Sequence, residues 1–297
     1  MATNSDTFTL NLVGGLGNQL HGMAAGYAIA GRTGLKPIFD GTDIPWGSNA
    51  SRKIEVNKFN WPDVSGVNAP IKIMRPLVTP FRNGPHQRVM ARIRDSVKRN
   101  SDLVSLDKYE ELNQIMDFAH EGKTLSGYFA QSEWIFDAFK FGFPTQLTPK
   151  RDSKPQPEQP YNALHIRLGD YLWHRDVYPL VTERYLLSGI EKMDSNLPLY
   201  IFTDDLVMTN ANYPQIVKKA SKIIGPKDAS TIASFIGLSF AKNIITANSS
   251  FSSWAGIFVE QNGGKVIAPN LMNHSDSKDF RPKNWIRIDI NTGNLVS

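Results

Sequence analysis

The sequence predicts an α/β protein of two Rossmann-like domains facing a cleft. Three observations lead there. The chain opens on an apolar strand, a glycine turn, an amphipathic helix and a second strand. From residue 161 short apolar strands alternate with helices again. Between the halves runs "PKRDSKPQPEQP", 149–160, which holds four prolines, several charges and no apolar residue. Its composition is that of a linker, so the expected domains are 1–150 and 151–297.

Phe8 to Val13 reads as a strand, and Gly14-Gly15-Leu16-Gly17 as a tight turn. From Asn18 the apolar residues Leu20, Met23, Ala24, Tyr27 and Ala28 recur at helical spacing. Gly34 stops that helix, and Leu35 to Asp40 is the next strand. A strand–helix–strand start implies a parallel sheet. Residues 41–85 are rich in Pro, Gly and Asn and give no clear element. Helices are expected over Gln87–Arg99, Tyr109–Phe118 and Ser132–Phe139. In the second half strands are expected at 161–166, 198–203, 243–247 and 265–268. The helices between them are expected at 182–193, 213–221, 228–240 and 252–261.

With 297 residues, 41% hydrophobic and 21% charged, the chain can bury a sizeable core. No apolar run reaches the roughly 18 residues of a membrane span. The start, Met1 to Asp6, lacks the basic and apolar regions of a signal peptide. A cytoplasmic protein is expected. Cysteine is absent, which removes disulfides, thiolate catalysis and cysteine-held metals. A net charge of +5 favours anionic ligands. No zinc-finger spacing or aromatic-laced basic run points to nucleic acid. The basic stretch Arg88, Arg92, Arg94, Lys98 and Arg99 reads as a solvated helix face or as a peripheral contact with an anionic membrane.

Four stretches carry chemistry. "GGLGNQL", 14–20, follows a strand and opens a helix, where backbone N–H groups suit a phosphate. Asp40 stands where a dinucleotide site would place its ribose carboxylate, but Leu20 breaks the third glycine of that fingerprint. A plain tight turn explains the stretch equally simply. "HIRLGDY", 165–171, ends a strand, where open α/β sheets bind ligands. Arg167 can fork onto two phosphate oxygens, His165 shares its strand parity, and Asp170 follows the Gly169 turn. The alternative is a buried Arg–Asp pair. "LYIFTDD", 199–205, ends in adjacent carboxylates that would make a poor oxygen cage for a metal; one can cap the next turn. "ITANSSFSSWAG", 245–256, offers serine hydroxyls around a helix start, either an anion cradle or an ordinary N-cap.

In order and spacing, "GGLGNQL", "HIRLGDY", "FTDD" and "NSSFSSWAG" resemble the motifs of the α-1,2-fucosyltransferase family. The resemblance covers most of the chain and is strongest over 8–40 and 161–269. It implies a GT-B-like fold with an N-terminal acceptor-side domain and a C-terminal nucleotide-sugar donor-binding domain. It also implies GDP-fucose as donor, a glycan hydroxyl as acceptor, inversion at the anomeric carbon, and no metal or other cofactor. By position, Arg167 would meet the diphosphate and offset charge on the leaving GDP, with His165 against the nucleotide. Asp204 and the turn Asn248, Ser249, Ser250, Phe251 and Ser252 would complete the donor site. Gly15, Gly17, Asn18 and Gln19 would approach the donor from the first domain.

The sequence departs from the family at three places. Leu168 replaces the second arginine of the pair, His21 stands where phenylalanine is usual, and Ala233 replaces an aspartate that reads guanine, for which Asp228 is a possible substitute. Asp170 is the expected general base, with Asp176 and Glu183 near it in sequence. Two other functions fit parts of the sequence: an NAD-dependent oxidoreductase using Gly15 to Asp40, and a non-catalytic nucleotide-sugar-binding protein.

Overall fold

Phe8 and Leu10 are buried from one face of β1 (Thr7–Asn11). The glycine turn leads from it into α1 (Leu16–Thr33), which buries Leu20, Met23, Ala24 and Ala28 at the spacing seen in the sequence. Gly34 ends the helix at φ 76°, donating its N–H to the Ala30 carbonyl. That left-handed conformation suits glycine. The chain then enters β2 (Lys36–Asp40). Further on come β3 (Leu103–Ser105), α2 (Leu112–His120), β4 (Thr124–Ser126) and α3 (Ser132–Lys140). The four strands lie in the order β2-β1-β4-β3, every pair parallel.

In this computed structural model the chain divides into two compact units. The first is Met1–Ile54, Pro62–Phe129 and Trp134–Phe143; the second is Glu55–Trp61, Ala130–Glu133 and Pro144–Ser297. The structure describes residues 6–42, 44, 52–61, 103–106, 112–148, 159–274 and 279–296. The helix expected over Gln87–Arg99 lies outside the described residues, as do most of 41–85 and most of the linker 149–160.

The sequence assigned all of 1–150 to the first domain, but residues 55–61 lie with the second unit. Aromatic packing is the reason. Phe59 is fully buried, with its ring 6.1 Å from Phe235 in an edge-on contact, and Trp61 stacks 6.5 Å from Phe258.

The second unit holds β5 (Asn162–Ile166), α4 (Glu183–Glu191), β6 (Leu199–Thr203), α5 (Leu206–Asn212), α6 (Pro214–Val217), β7 (Lys222–Ile224), α7 (Thr231–Ser239), β8 (Asn243–Ile245), α8 (Ser250–Gln261), β9 (Lys265–Pro269) and β10 (Ile286–Ile288). Its sheet runs β10-β9-β8-β5-β6-β7, all parallel. All five residues of β5 are buried, as expected for a central strand covered on both faces. From β5 the chain moves outward through β6 and β7. It then returns to β8 on the other side of β5 and moves outward again. Neighbouring strands whose connections leave in opposite directions open a crevice at their carboxyl ends. That crevice lies beyond β5 and β8.

Of the helix expected at 213–221 only α6 forms, with α5 before that span and the strand β7 after it. Asp205 caps α5 by accepting the Met208 N–H at 3.0 Å. Pro214 cannot extend that helix and starts α6. Ser221 and the edge strand β7 follow. Helix starts elsewhere shift to their capping residues: Thr182 accepts from the Tyr185 N–H, and Ser230 from the Ala233 N–H.

Candidate active site

Strand register builds the site. Ile166 on β5 lies opposite Thr203 on β6. The next residues, Arg167 and Asp204, therefore leave the sheet side by side. Arg167 Nη1 lies 2.6 Å from Asp204 Oδ2, a close ion pair rather than an aligned hydrogen bond. Arg167 Nη2 donates to Asp170 Oδ1 at 2.5 Å. The other Asp204 oxygen accepts the Leu168 N–H at 2.8 Å. A Cβ on Gly169 would sit 2.5 Å from Asp204 Oδ2, so the glycine gives this carboxylate room to reach the arginine.

Burial alone would lower the pKa of Arg167. The charges of Asp204 and Asp170 outweigh it, and the pKa is raised. The guanidinium stays charged and is aimed by two carboxylates. Asp170 is the more open of these, its side chain 39% exposed against 22% for Asp204.

His165 is buried, and its ring centroid is 5.5 Å from that of Phe251. Burial first, and the Arg167 charge second, lower its pKa to about 3. It is a neutral imidazole with an unpartnered Nδ1, not a second cation.

Tyr171 was part of the "HIRLGDY" stretch but had no role from sequence. Its ring lies 5.5 Å from the Arg167 guanidinium carbon and stacks on Tyr178 at 4.4 Å. Its hydroxyl donates to the Asn248 carbonyl at 3.1 Å. Burial, opposed by Arg167, raises the phenol to about 12, so it remains a donor. Tyr171 thus ties the arginine turn to the serine turn across the crevice.

The serine turn divides its labour. Ser249 caps α8 by accepting the Phe251 N–H at 3.3 Å. Ser252 is fully buried and exchanges hydrogen bonds with both backbone groups of Ala247. Asn248 donates to the carbonyls of Pro179 and Met272. Ser252 and Asn248 therefore hold the turn together. Ser250 and Phe251 are both half-buried at the helix start, and Phe251 packs against His165 and Phe235.

Leu168 is fully buried in the core with Leu164 and Ile201. The residue that replaces the family's second arginine fills the interior, and its backbone N–H serves Asp204. Asp205 is spent on the α5 cap, so the adjacent aspartates do different work. Asp228 Oδ2 accepts the Gly225 N–H at 2.8 Å and closes the turn before α7. Among the described residues no three His, Asp or Glu side chains gather as a metal-holding group.

In the first unit Gly14, not Gly15 or Gly17, takes the left-handed conformation, at φ 71°. Gln19 is buried and donates to the carbonyls of Gly14 and Lys53, which fixes the turn. Asn18 is half-exposed beside it. The Arg52 guanidinium lies against Gly15, in space a side chain would fill. No sequence spacing announced that cation, because it comes from a stretch without clear pattern. Asp40 Oδ1 accepts from both the N–H and hydroxyl of Thr42 and so closes its own turn. His21 is buried in α1, and desolvation lowers its pKa to about 3. It fills a core position as the family's phenylalanine would.

Residues 157–289, which contain all of this crevice, match the family model Glycosyl transferase family 11. The matched stretch takes in "HIRLGDY", "FTDD" and "NSSFSSWAG", while "GGLGNQL" lies before it. A curated relative, an alpha-1,2-colitosyltransferase of Escherichia coli, is 29% identical over 136 residues. The match takes in 43% of this chain and 47% of that relative, about half the relative's length. Two solved structures are similar at low identity. The fucosyltransferase NodZ from Bradyrhizobium is 12% identical, with a TM-score of 0.39 over 84% of this chain and 92% of its own. A family 9 glycosyl transferase from Veillonella parvula is 8% identical, with a TM-score of 0.40 over 100% of this chain and 90% of its own. No helix among the described residues is long and apolar enough to cross a membrane.

Proposed function

We propose that the chain transfers L-fucose from GDP-fucose to a glycan hydroxyl, in α-1,2 linkage to galactose, with inversion and without a metal. One observation carries this: a charged arginine, aimed by Asp204 and Asp170, stands beside a helix start at the switch point of a parallel sheet. Departure of GDP breaks the bond between the anomeric carbon and the β-phosphate oxygen, and the electron pair stays on the diphosphate. Fixed donors already aimed at that charge lower the barrier. Arg167, the Ser250 hydroxyl and the first N–H groups of α8 supply them. The acceptor oxygen attacks the opposite face of the sugar.

Asp170 gives up its bond to Arg167 more readily than Asp204, because it is more exposed and exposed pairs are weak. An arriving diphosphate takes its place on Nη2. The released carboxylate then accepts the proton of the acceptor hydroxyl. Asp170→Asn should therefore lower acceptor-dependent transfer by about 10² to 10⁴ and leave GDP affinity nearly unchanged. Parallel loss of both would make Asp170 an orienting group only.

The test of function is a donor screen in EDTA: purified protein, GDP- and UDP-sugars, and detection of released nucleotide. Release from GDP-fucose alone supports the proposal. The relative named for colitose makes that sugar's activated form the second donor to include. Release only from a UDP-sugar, or only after manganese is restored, would reject it. An NAD-linked activity is disfavoured by Asp40, whose carboxylate is engaged with Thr42.

A further inference from the structure

Trp173 is 85% exposed, the most open of the large apolar side chains among the described residues. Single exposed apolar residues are common, so exposure alone decides nothing. Its position does. Trp173 ends the 3-10 turn Gly169–Trp173, three residues after Asp170. In such a turn side chains at that spacing eclipse one another, so Trp173 leaves the turn on the same side as Asp170.

The base beneath the indole is firmly held. Leu172 donates its N–H to Leu168 O and packs on the core. Tyr171 is stacked on Tyr178 and bonded to Asn248. His174 donates to Tyr171 O, and both Val177 and Tyr178 donate back to His174 O. The chain is fixed on both sides of Trp173, while its ring makes no hydrogen bond or ring contact among the described residues. An aromatic side chain carried on a fixed backbone brings a large apolar face to a ligand and leaves only its own two side-chain torsions to be ordered on binding.

We propose that Trp173 is the platform on which a pyranose ring of the acceptor glycan stacks, presenting a hydroxyl to Asp170. One face of a pyranose such as galactose carries C–H hydrogens with slight positive charge, which suits the negative face of an indole. The hydroxyls project from the ring edge and stay free to react. This deepens the proposed transferase function and rests on it.

The test uses the full chain saturated with GDP and the methyl β-glycosides of galactose, glucose, N-acetylgalactosamine and N-acetylglucosamine. Indole N–H signals are followed by NMR, and that of Trp173 is assigned by its loss in Trp173→Phe. At least one glycoside should shift this signal saturably. Trp173→Ala should weaken binding of that glycoside about tenfold, Trp173→Phe by less, with GDP affinity and melting temperature as in the wild type. If no glycoside moves the signal, or Trp173→Ala binds as tightly as wild type, the platform is wrong. Because glycoside binding is read without turnover, its failure is separate from failure of the donor screen.

Discussion

Arg167→Ala and Arg167→Lys should each lose about 10² to 10³ or more in turnover, the usual cost of removing a preorganised donor to developing charge. The geometry explains why lysine should not rescue. Arg167 meets Asp204 through one terminal nitrogen and Asp170 through the other. An ammonium is a compact point charge on a flexible stem and cannot be aimed by both carboxylates in one plane. Both variants should remain folded, since the arginine side chain is 27% exposed and the core behind it is built by Ile166 and Leu168. Nucleotide release from GDP-fucose, measured beside a melting curve, checks this. An active, folded Arg167→Ala protein would show that the leaving charge is met elsewhere.

The second large effect is on acid stability. His21 and His165 are both buried, with pKa values lowered from 6.5 to about 3. Between those values the unfolded chain takes up protons that the folded chain refuses. Their contribution is therefore complete above about pH 6.5 and is lost as pH falls toward 3. Each imidazole gives up roughly 2 kcal/mol by about pH 5, at about 1.4 kcal/mol per unit. That is a large share of a stability of about 5–15 kcal/mol. In denaturant unfolding at about pH 7.5 and about pH 5, His21→Phe should lose roughly 2 kcal/mol less than wild type. Equal losses in the two proteins would mean that His21 is protonated without unfolding.

What the sequence showed depended on length and pattern. The strands β5, β6 and β9 were legible because each is a buried apolar run bounded by turn residues. Of the five three-residue strands only β8 was expected, from the apolar run at 243–247; β3, β4, β7 and β10 lack such a run and are too short for periodicity to register. α5 was missed because its signal was a cap, Asp205, whose partner Met208 is an unremarkable position. In the site, residue type was legible and engagement was not. Arg167 and Asp170 are neighbours in sequence and were paired in advance. The partnership of Arg167 with Asp204 depends on strand register across 37 positions, which a single sequence does not display. Likewise serine and asparagine suit both ligands and backbone. Only the fold shows that Ser252 and Asn248 are committed to Ala247, Pro179 and Met272, while Ser250 and Phe251 are not buried.

The most direct measurement is a calorimetric titration of GDP and GMP into wild-type protein and Arg167→Ala. If the crevice beyond β5 and β8 grips a diphosphate through Arg167, wild type binds GDP far more tightly than GMP. In Arg167→Ala that preference should fall by about tenfold or more, at about 1.4 kcal/mol per tenfold. Equal binding of GDP and GMP by wild type, or an undiminished preference in Arg167→Ala, would contradict it.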